Sequence, residues 1–216
     1  MVANQVHLVR HGEVFNPERV LYGRLPGYRL SELGARMAEA AATDLVQRGR
    51  PVARIVSSPL QRARESAAPI AAAFGLPIDI DIDERIIEPA NVFEGKRMRG
   101  PDGALRDARN WPALVNPLRP SWGEPFESIV KRMLAAIEDA RNSVGEGDVV
   151  LVSHQLPIWM VHRALARQRL AHDPRKRRCD LSSITTLSWP GDRLVETGYA
   201  NPALPLQAGA TDVGAV

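Results

Sequence analysis

Two histidines in this chain each end an apolar run: Leu8 to His11 reads LVRH, and Leu151 to His154 reads LVSH. Arg10 stands beside the first. Arg62 lies shortly after Ser57-Ser58, where the brief apolar run Ile55-Val56 stops. In an open α/β sheet the ligand crevice lies outside the carboxyl ends of the strands. Arg10, His11, Arg62 and His154 are therefore expected to converge at one sheet edge. Such a cluster repels cations and suits an anion, because arginine presents a planar fork of donors that matches phosphate. Helix N-termini after Ser58 and near Gln155 would add backbone donors and partial positive charge. A two-histidine metal centre is the competing reading. The adjacent arginines oppose it, and no third ligand is evident.

The elements that must carry these residues can be read from periodicity. Gln5 to Val9 suits a short buried strand. From Ser31, apolar residues recur at spacings of three and four (Leu33, Met37, Ala40, Ala41, Leu45, Val46), which predicts a helix up to Gly49. A second helix is expected with Ser58 as N-cap, Pro59 at N1 and Gln61 at N3, running to about Phe74 before Gly75. Ile78 to Ile82 alternates Ile with Asp, the pattern of a half-exposed edge strand. Lys96 to Gly123 lacks periodicity and is rich in Pro, Gly, Arg and Asn, which predicts a lid or binding excursion. Phe126 to Ile137 carries a strong helical stripe, and Asp148 to Ser153 has the length of a buried strand. A further helix is expected from Pro157 to Ala166. Ser183–Trp189 and Arg193–Thr197 form a predicted hairpin around Pro-Gly-Asp. Alternating strands and helices indicate one α/β domain over residues 1–201 with a mostly parallel sheet, followed by a mobile tail, 202–216.

Composition narrows the class. The chain has 216 residues, 44% hydrophobic and 25% charged, which excludes wholesale disorder. No apolar stretch reaches the roughly 20 residues that span a bilayer. The first residues lack the pattern of a signal peptide. A single cysteine, Cys179, leaves no internal disulfide and no Cys-based metal site. A cytoplasmic location is the expectation, with no membrane partner. Seven Arg/Lys lie between Arg163 and Arg178 against Asp173 alone. No aromatic interleaving accompanies them, so a solvated surface is expected rather than a nucleic-acid patch.

Taken in order, these motifs resemble the histidine phosphatase superfamily, also called the phosphoglycerate mutase-like family. The resemblance rests on Arg10-His11-Gly12-Glu13 after a strand, on SSPLQRARESA at Ser57 to Ala67, and on VVLVSH ending at His154. LSELG at Leu30 to Gly34, FEG at Phe93 to Gly95, and GEP followed by Arg132 support it. It covers Val6 to about Leu187 and implies a three-layer α/β/α sandwich. It also implies a histidine acid-type phosphatase, a phosphoric monoester hydrolase acting on a small phosphorylated metabolite. His11 would be the nucleophile, forming a phosphohistidine, while Arg10, Arg62 and His154 hold the phosphoryl oxygens. Glu88 would supply the leaving-group proton, with Glu84 and Glu94 competing for that role. Gly12, Asn16, Gly23, Arg24 and Gln155 are the expected substrate-binding residues, Gly12 by leaving room for the phosphate. No cofactor and no metal are expected, and a homodimer is compatible. Gln155 stands where family members commonly have glycine. A phosphoglycerate mutase and a non-catalytic phospho-ligand-binding module are the alternatives. Basic and aromatic residues of the excursion (Arg97, Arg99, Arg106, Arg109, Arg119, Trp111, Trp122) either select the substrate or pack the loop and face solvent.

Overall fold

A computed structural model of the chain describes residues 2–76, 80–98, 100–116 and 120–213. Its centre is a six-stranded sheet. β1 (Gln5–Arg10), β2 (Val52–Ser57), the short β3 (Asp81–Ile82) and β4 (Asp148–Ser153) are parallel. β5 (Ile184–Ser188) runs antiparallel to β1, and β6 (Val195–Ala200) antiparallel to β5. The order across the sheet is β3-β2-β4-β1-β5-β6.

Helices cover both faces, so the strands can be apolar on both sides. α1 (Glu32–Gln47) and α2 (Gln61–Ala73) bury Ala41, Leu45, Ala63, Ala67 and Ile70 against Val9, Val150 and Val152. α3 (Phe126–Asn142) and α4 (Gln155–Leu165) bury Ile129, Met133, Ile158 and Met160 against Leu8, Val149 and Leu151. Successive residues of β4 thus serve opposite layers, as the period of two requires. The result is the expected three-layer α/β/α sandwich with a mostly parallel sheet. Ser31 caps α1, its hydroxyl accepting from the Gly34 N–H at 2.9 Å.

Several boundaries differ from the sequence reading. α2 has Leu60, not Ser58, at its N-cap, so Pro59 and Gln61 do not take the expected capping positions. α4 begins at Gln155, two residues early, because Pro157 in its first turn needs no N–H partner. β6 extends to Ala200. Asp81–Ile82 does form the sheet edge, while Ile78 and Asp79 lie outside the described residues. The excursion folds as two 3₁₀ turns, Ala104–Arg106 and Ala108–Leu114. Met98, Ala104, Ala113 and Trp122 pack there on Leu21 and Phe93. Trp111 is exposed, Arg109 pairs locally with Asp107, and Arg99 and Arg119 lie outside the described residues. The segment after Asn201, expected to be mobile, folds back over the domain. A 3₁₀ turn at Leu204–Gly209 packs Ala203, Leu206 and Ala210 with Met37 and Leu181. Among the described residues no helix is long and apolar enough to cross a membrane.

At the amino end of the strands, away from the two terminal histidines, a buried polar network ties the sheet together. The Asp148 carboxylate accepts from Arg50 Nε at 2.6 Å and Nη2 at 2.9 Å, and from the Gln5 N–H at 3.1 Å. His7 Nε2 stands 3.4 Å from it, and His7 Nδ1 lies 3.1 Å from Thr186 Oγ1. Burial opposes ionisation of Asp148, but the hydrogen bonds from Arg50 and His7 outweigh it and hold its pKa at about 2. Its stabilisation is therefore complete above the unfolded value and is lost as pH falls toward 2. Asp148→Ala strands His7 and the Gln5 N–H in the core, at an expected cost of about 3 kcal/mol. Calorimetry should show Tm lower by roughly 6–12 °C, with turnover per folded molecule unchanged.

Candidate active site

Strand register brings the two histidines together. Arg10 pairs with Ser153 across β1 and β4. The next residue of each strand therefore leaves the sheet beside the other, and the His11 and His154 rings lie 5.1 Å apart, edge to face. On the far side of β4, Ser57 pairs with Val152, so Ser58 arrives next to His154. The Ser58 hydroxyl lies 2.7 Å from His154 Nε2. That hydroxyl serves the histidine, which is why it is not the cap of α2.

The protonation of His11 follows from one contact. Its Nδ1 lies 2.7 Å from the Gly12 carbonyl oxygen, which only accepts, so Nδ1 carries the proton. Nε2 then keeps its lone pair, toward which Arg62 Nε donates at 3.3 Å. Burial, then the charges of Arg62 and Arg10, hold the His11 pKa well below its ordinary value of 6.5. The imidazole is neutral at physiological pH. Burial and Arg62 keep His154 neutral in the same way.

Arg62 sits in the first turn of α2 with its Nη2 donating to the Gly23 carbonyl at 2.7 Å. Its guanidinium lies 4.7 Å from the centre of the Tyr22 ring. Arg10 is anchored through Nη1 to the Cys179 carbonyl at 2.7 Å and through Nη2 to Asp212 at 2.8 Å. Each terminal nitrogen has a second proton to offer, and the buried Nε has no partner among the described residues.

Glu88 is the carboxyl of this cluster that no arginine holds at hydrogen-bond distance among the described residues. It is fully buried, and neither carboxyl oxygen has a hydrogen-bond partner among the described residues. Its Oε2 stands 3.5 Å from His154 Nδ1, itself unpartnered. Burial pushes the carboxyl up to about 7, against the opposing pull of Arg62, Arg177, Arg10 and Arg132. An unpartnered buried carboxyl costs stability unless it stays protonated. Glu84 is exposed on a 3₁₀ turn, and Glu94 accepts from the Arg24 and Asn91 N–H groups, so neither is placed as Glu88 is. The cluster thus combines a neutral histidine lone pair, two arginines, a second neutral histidine and a carboxyl that titrates near neutrality.

Comparison with known proteins gives the family. The family model described as histidine phosphatase superfamily (branch 1) matches residues 6–202. The chain belongs to the histidine phosphatase superfamily. The Mycobacterium tuberculosis protein Rv0525 is 52% identical over 199 residues, covering 92% of this chain and 96% of that one. A probable phosphoglycerate mutase GpmB of Escherichia coli O1:K1 is 32% identical, covering 83% and 84%. Among solved structures, the mycobacterial glucosyl-3-phosphoglycerate phosphatase Rv2419c, in complex with inorganic phosphate, superposes with a TM-score of 0.70. It is 26% identical, over 93% of this chain and 99% of that one.

Against this superfamily frame, the expected substrate-binding residues divide. Asn16 is occupied elsewhere: its amide donates to the Val20 carbonyl at 2.8 Å and accepts from the Val20 N–H at 3.3 Å. Gly12 has a packing role: a Cβ there would lie 2.3 Å from the Gly34 carbonyl oxygen, so the glycine permits the segment after β1 to pack on the start of α1. Gly23 (φ +38°) supports Arg62 with its carbonyl, and a side chain there would collide with Glu94. Arg24 donates from Nε to the Glu88 carbonyl at 2.6 Å, bracing the segment that carries the acid. Gln155 Nε2 donates to the Cys179 carbonyl at 3.4 Å, the same oxygen that anchors Arg10.

Three contributors were not legible. By local pattern Ser58 reads as a helix cap, Asp212 as part of a loose tail, and Arg177 as part of a solvated basic run. The tail reaches Arg10 because the Thr211 N–H and the Ser31 hydroxyl both donate to Glu13, the last residue of the RHGE motif. No local pattern marks such returns. The basic run itself disperses: Arg175 pairs with Asp173, Arg178 with Glu196, and Arg177 turns toward the site.

Proposed function

We propose that the protein is a phosphomonoesterase acting through a phosphohistidine on His11. The observation that carries this reading is the His11 ring, whose Nδ1–H is fixed on the Gly12 carbonyl while its Nε2 lone pair faces Arg62. In the first step Nε2 attacks phosphorus, and the bond from phosphorus to the ester oxygen breaks. Glu88, whose carboxyl is raised to about 7 and so is partly protonated at neutral pH, gives its proton to the departing oxygen. Arg10, Arg62 and His154 hold the three non-bridging oxygens as charge develops on them. In the second step a water attacks the phosphohistidine, Glu88 takes its proton, and the P–N bond breaks to release phosphate and restore His11.

The substrate is a small phosphorylated metabolite. A mutase would instead return the phosphoryl group to product, a reading favoured by the likeness to the probable phosphoglycerate mutase GpmB. Phosphate release from a panel of phosphomonoesters decides between them. Steady release with little 3- to 2-phosphoglycerate interconversion is expected, and sustained interconversion with negligible release overturns the phosphatase assignment. Activity that EDTA abolishes would overturn the phosphohistidine route as well.

A further inference from the structure

Cavities among the described residues adjoin the site on different sides. One, of about 690 Å³, is lined by Arg62, Arg24 and Tyr28 and runs along the first turns of α2. Another, of about 520 Å³, is bounded by Gln155, directly after His154, and by Asp212, which sits on Arg10. It therefore adjoins the cluster on the side of His154 and Arg10, where it can take the non-phosphate part of an ester held there. Its chemistry is two-sided. Leu21, Phe93, Met98 and Trp122, from the strand-end loops and the excursion, form an apolar wall. Arg177 lines the same cavity, together with Arg175 and the carboxylates Asp180, bound to Tyr199 and Asn201, and Asp212, bound to Arg10.

Arg177 is held in place rather than left to sample solvent. Its Nε donates to His172 Nε2 at 2.9 Å. That nitrogen can accept because His172 Nδ1 lies 2.7 Å from the Leu170 carbonyl and so carries the ring proton. Burial lowers the His172 pKa to about 4, which keeps the ring a neutral acceptor. The ring is itself wedged against Phe126 and Trp159, with centroids at 5.5 and 6.1 Å. Arg177 Nη1 then donates to Gln155 Oε1 at 3.3 Å, and Gln155 leans on the carbonyl that anchors Arg10. The residue in place of the family's usual glycine thus links a third arginine to the phosphoryl-binding one. A fixed guanidinium facing an apolar wall loses little entropy on gripping a planar anion.

We propose that Arg177 is the specificity-determining residue of this site, and that the substrate class is a phosphomonoester with an apolar or ring-bearing body and a second anionic group. This rests on the phosphomonoesterase reading above. Arg177 takes the second anion, the wall of Leu21, Phe93, Met98 and Trp122 takes the body, and Arg10 and Arg62 take the phosphate.

The test compares 3-carboxyphenyl phosphate with phenyl phosphate, whose leaving groups differ little in reactivity. The intact protein should prefer the carboxylated ester in kcat/KM by about tenfold to a hundredfold, the range of a charge-assisted hydrogen bond. In Arg177→Ala and Arg177→Gln that ratio should fall to near one. His172→Ala, which removes only the brace, should give an intermediate ratio carried in KM. Because each ratio is taken within one variant, partial misfolding cancels. The matching phosphonates, compared by calorimetry on the same proteins, should show the same preference in Kd. No preference in the intact protein, or an equal loss for both esters in Arg177→Ala, overturns the proposal while leaving the phosphatase reading intact. Hydrolysis of neither ester overturns the phosphatase reading, and the phosphonate affinities then still decide the role of Arg177.

Discussion

Replacing His11 with alanine should abolish hydrolysis of every phosphomonoester on the proposed route, with an expected loss on the order of 10⁴-fold or more in kcat. The size follows from what the ring supplies. No other side chain in the cluster offers a comparable nitrogen nucleophile: His154 has Nε2 on Ser58 and Nδ1 beside Glu88, the Glu88 carboxyl is needed as the acid, and the arginines can only donate. Water cannot substitute at comparable rate, because the covalent route divides one difficult displacement into two easier ones. Acid-labile, base-stable phosphate should be recovered on His11 when turnover of the intact protein is quenched with denaturant, and none from the variant. Arg10 and Arg62 remain in His11→Ala, so phosphate binding should persist. Turnover unchanged in the variant would overturn the mechanism.

Glu88→Gln carries the second large effect, and its size depends on the leaving group. An alkyl phosphate cannot expel its alkoxide without a proton, so kcat/KM should fall by about 10²- to 10⁴-fold. A nitrophenyl phosphate leaves as a stable anion, and its kcat/KM should fall far less. Since the protonated carboxyl is the active form in this step, kcat/KM for the alkyl ester should decline as pH rises through about 7. His11, already neutral, adds no limb between pH 6 and 8.

Stability should move oppositely to activity. The Glu88 carboxyl is raised from 4.5 unfolded to about 7 folded. Its contribution is most favourable below the unfolded value and is lost as pH rises toward 7. The loss amounts to about 3 kcal/mol, which glutamine does not incur. Glu88→Gln should therefore be more stable than the parent at pH 8 in denaturant titration, though far less active. Equal losses on both esters, with reduced stability, would make Glu88 a packing residue.

Much of this was legible in the order of residues. β4 reads as a continuous apolar run because helices cover both its faces, and α1 and α3 show apolar stripes because each covers only one. His11 and His154 could be placed at strand ends because a buried strand stops where polar residues begin. Glu88 could be named only through the family resemblance, since one carboxylate among several carries no local mark. Its usefulness comes from burial without a partner, which is a property of the packed interior.

The sequence by itself determined the alternation of strands and helices, the Arg10-His11 and His154 strand ends, and the family to which the chain belongs. These are local matters of periodicity and motif. Only the tertiary structure decided the Arg10–Ser153 register that sets the two rings 5.1 Å apart, the tautomer of His11, and the elevated acid of Glu88. It also decided that Ser58 serves His154, that Asp212 returns from the tail to Arg10, and that Arg177 leaves a basic run to face the cavity beside Gln155. Each depends on contacts between residues far apart in the chain. Their energies come from burial and hydrogen-bond geometry, which no short window of sequence contains.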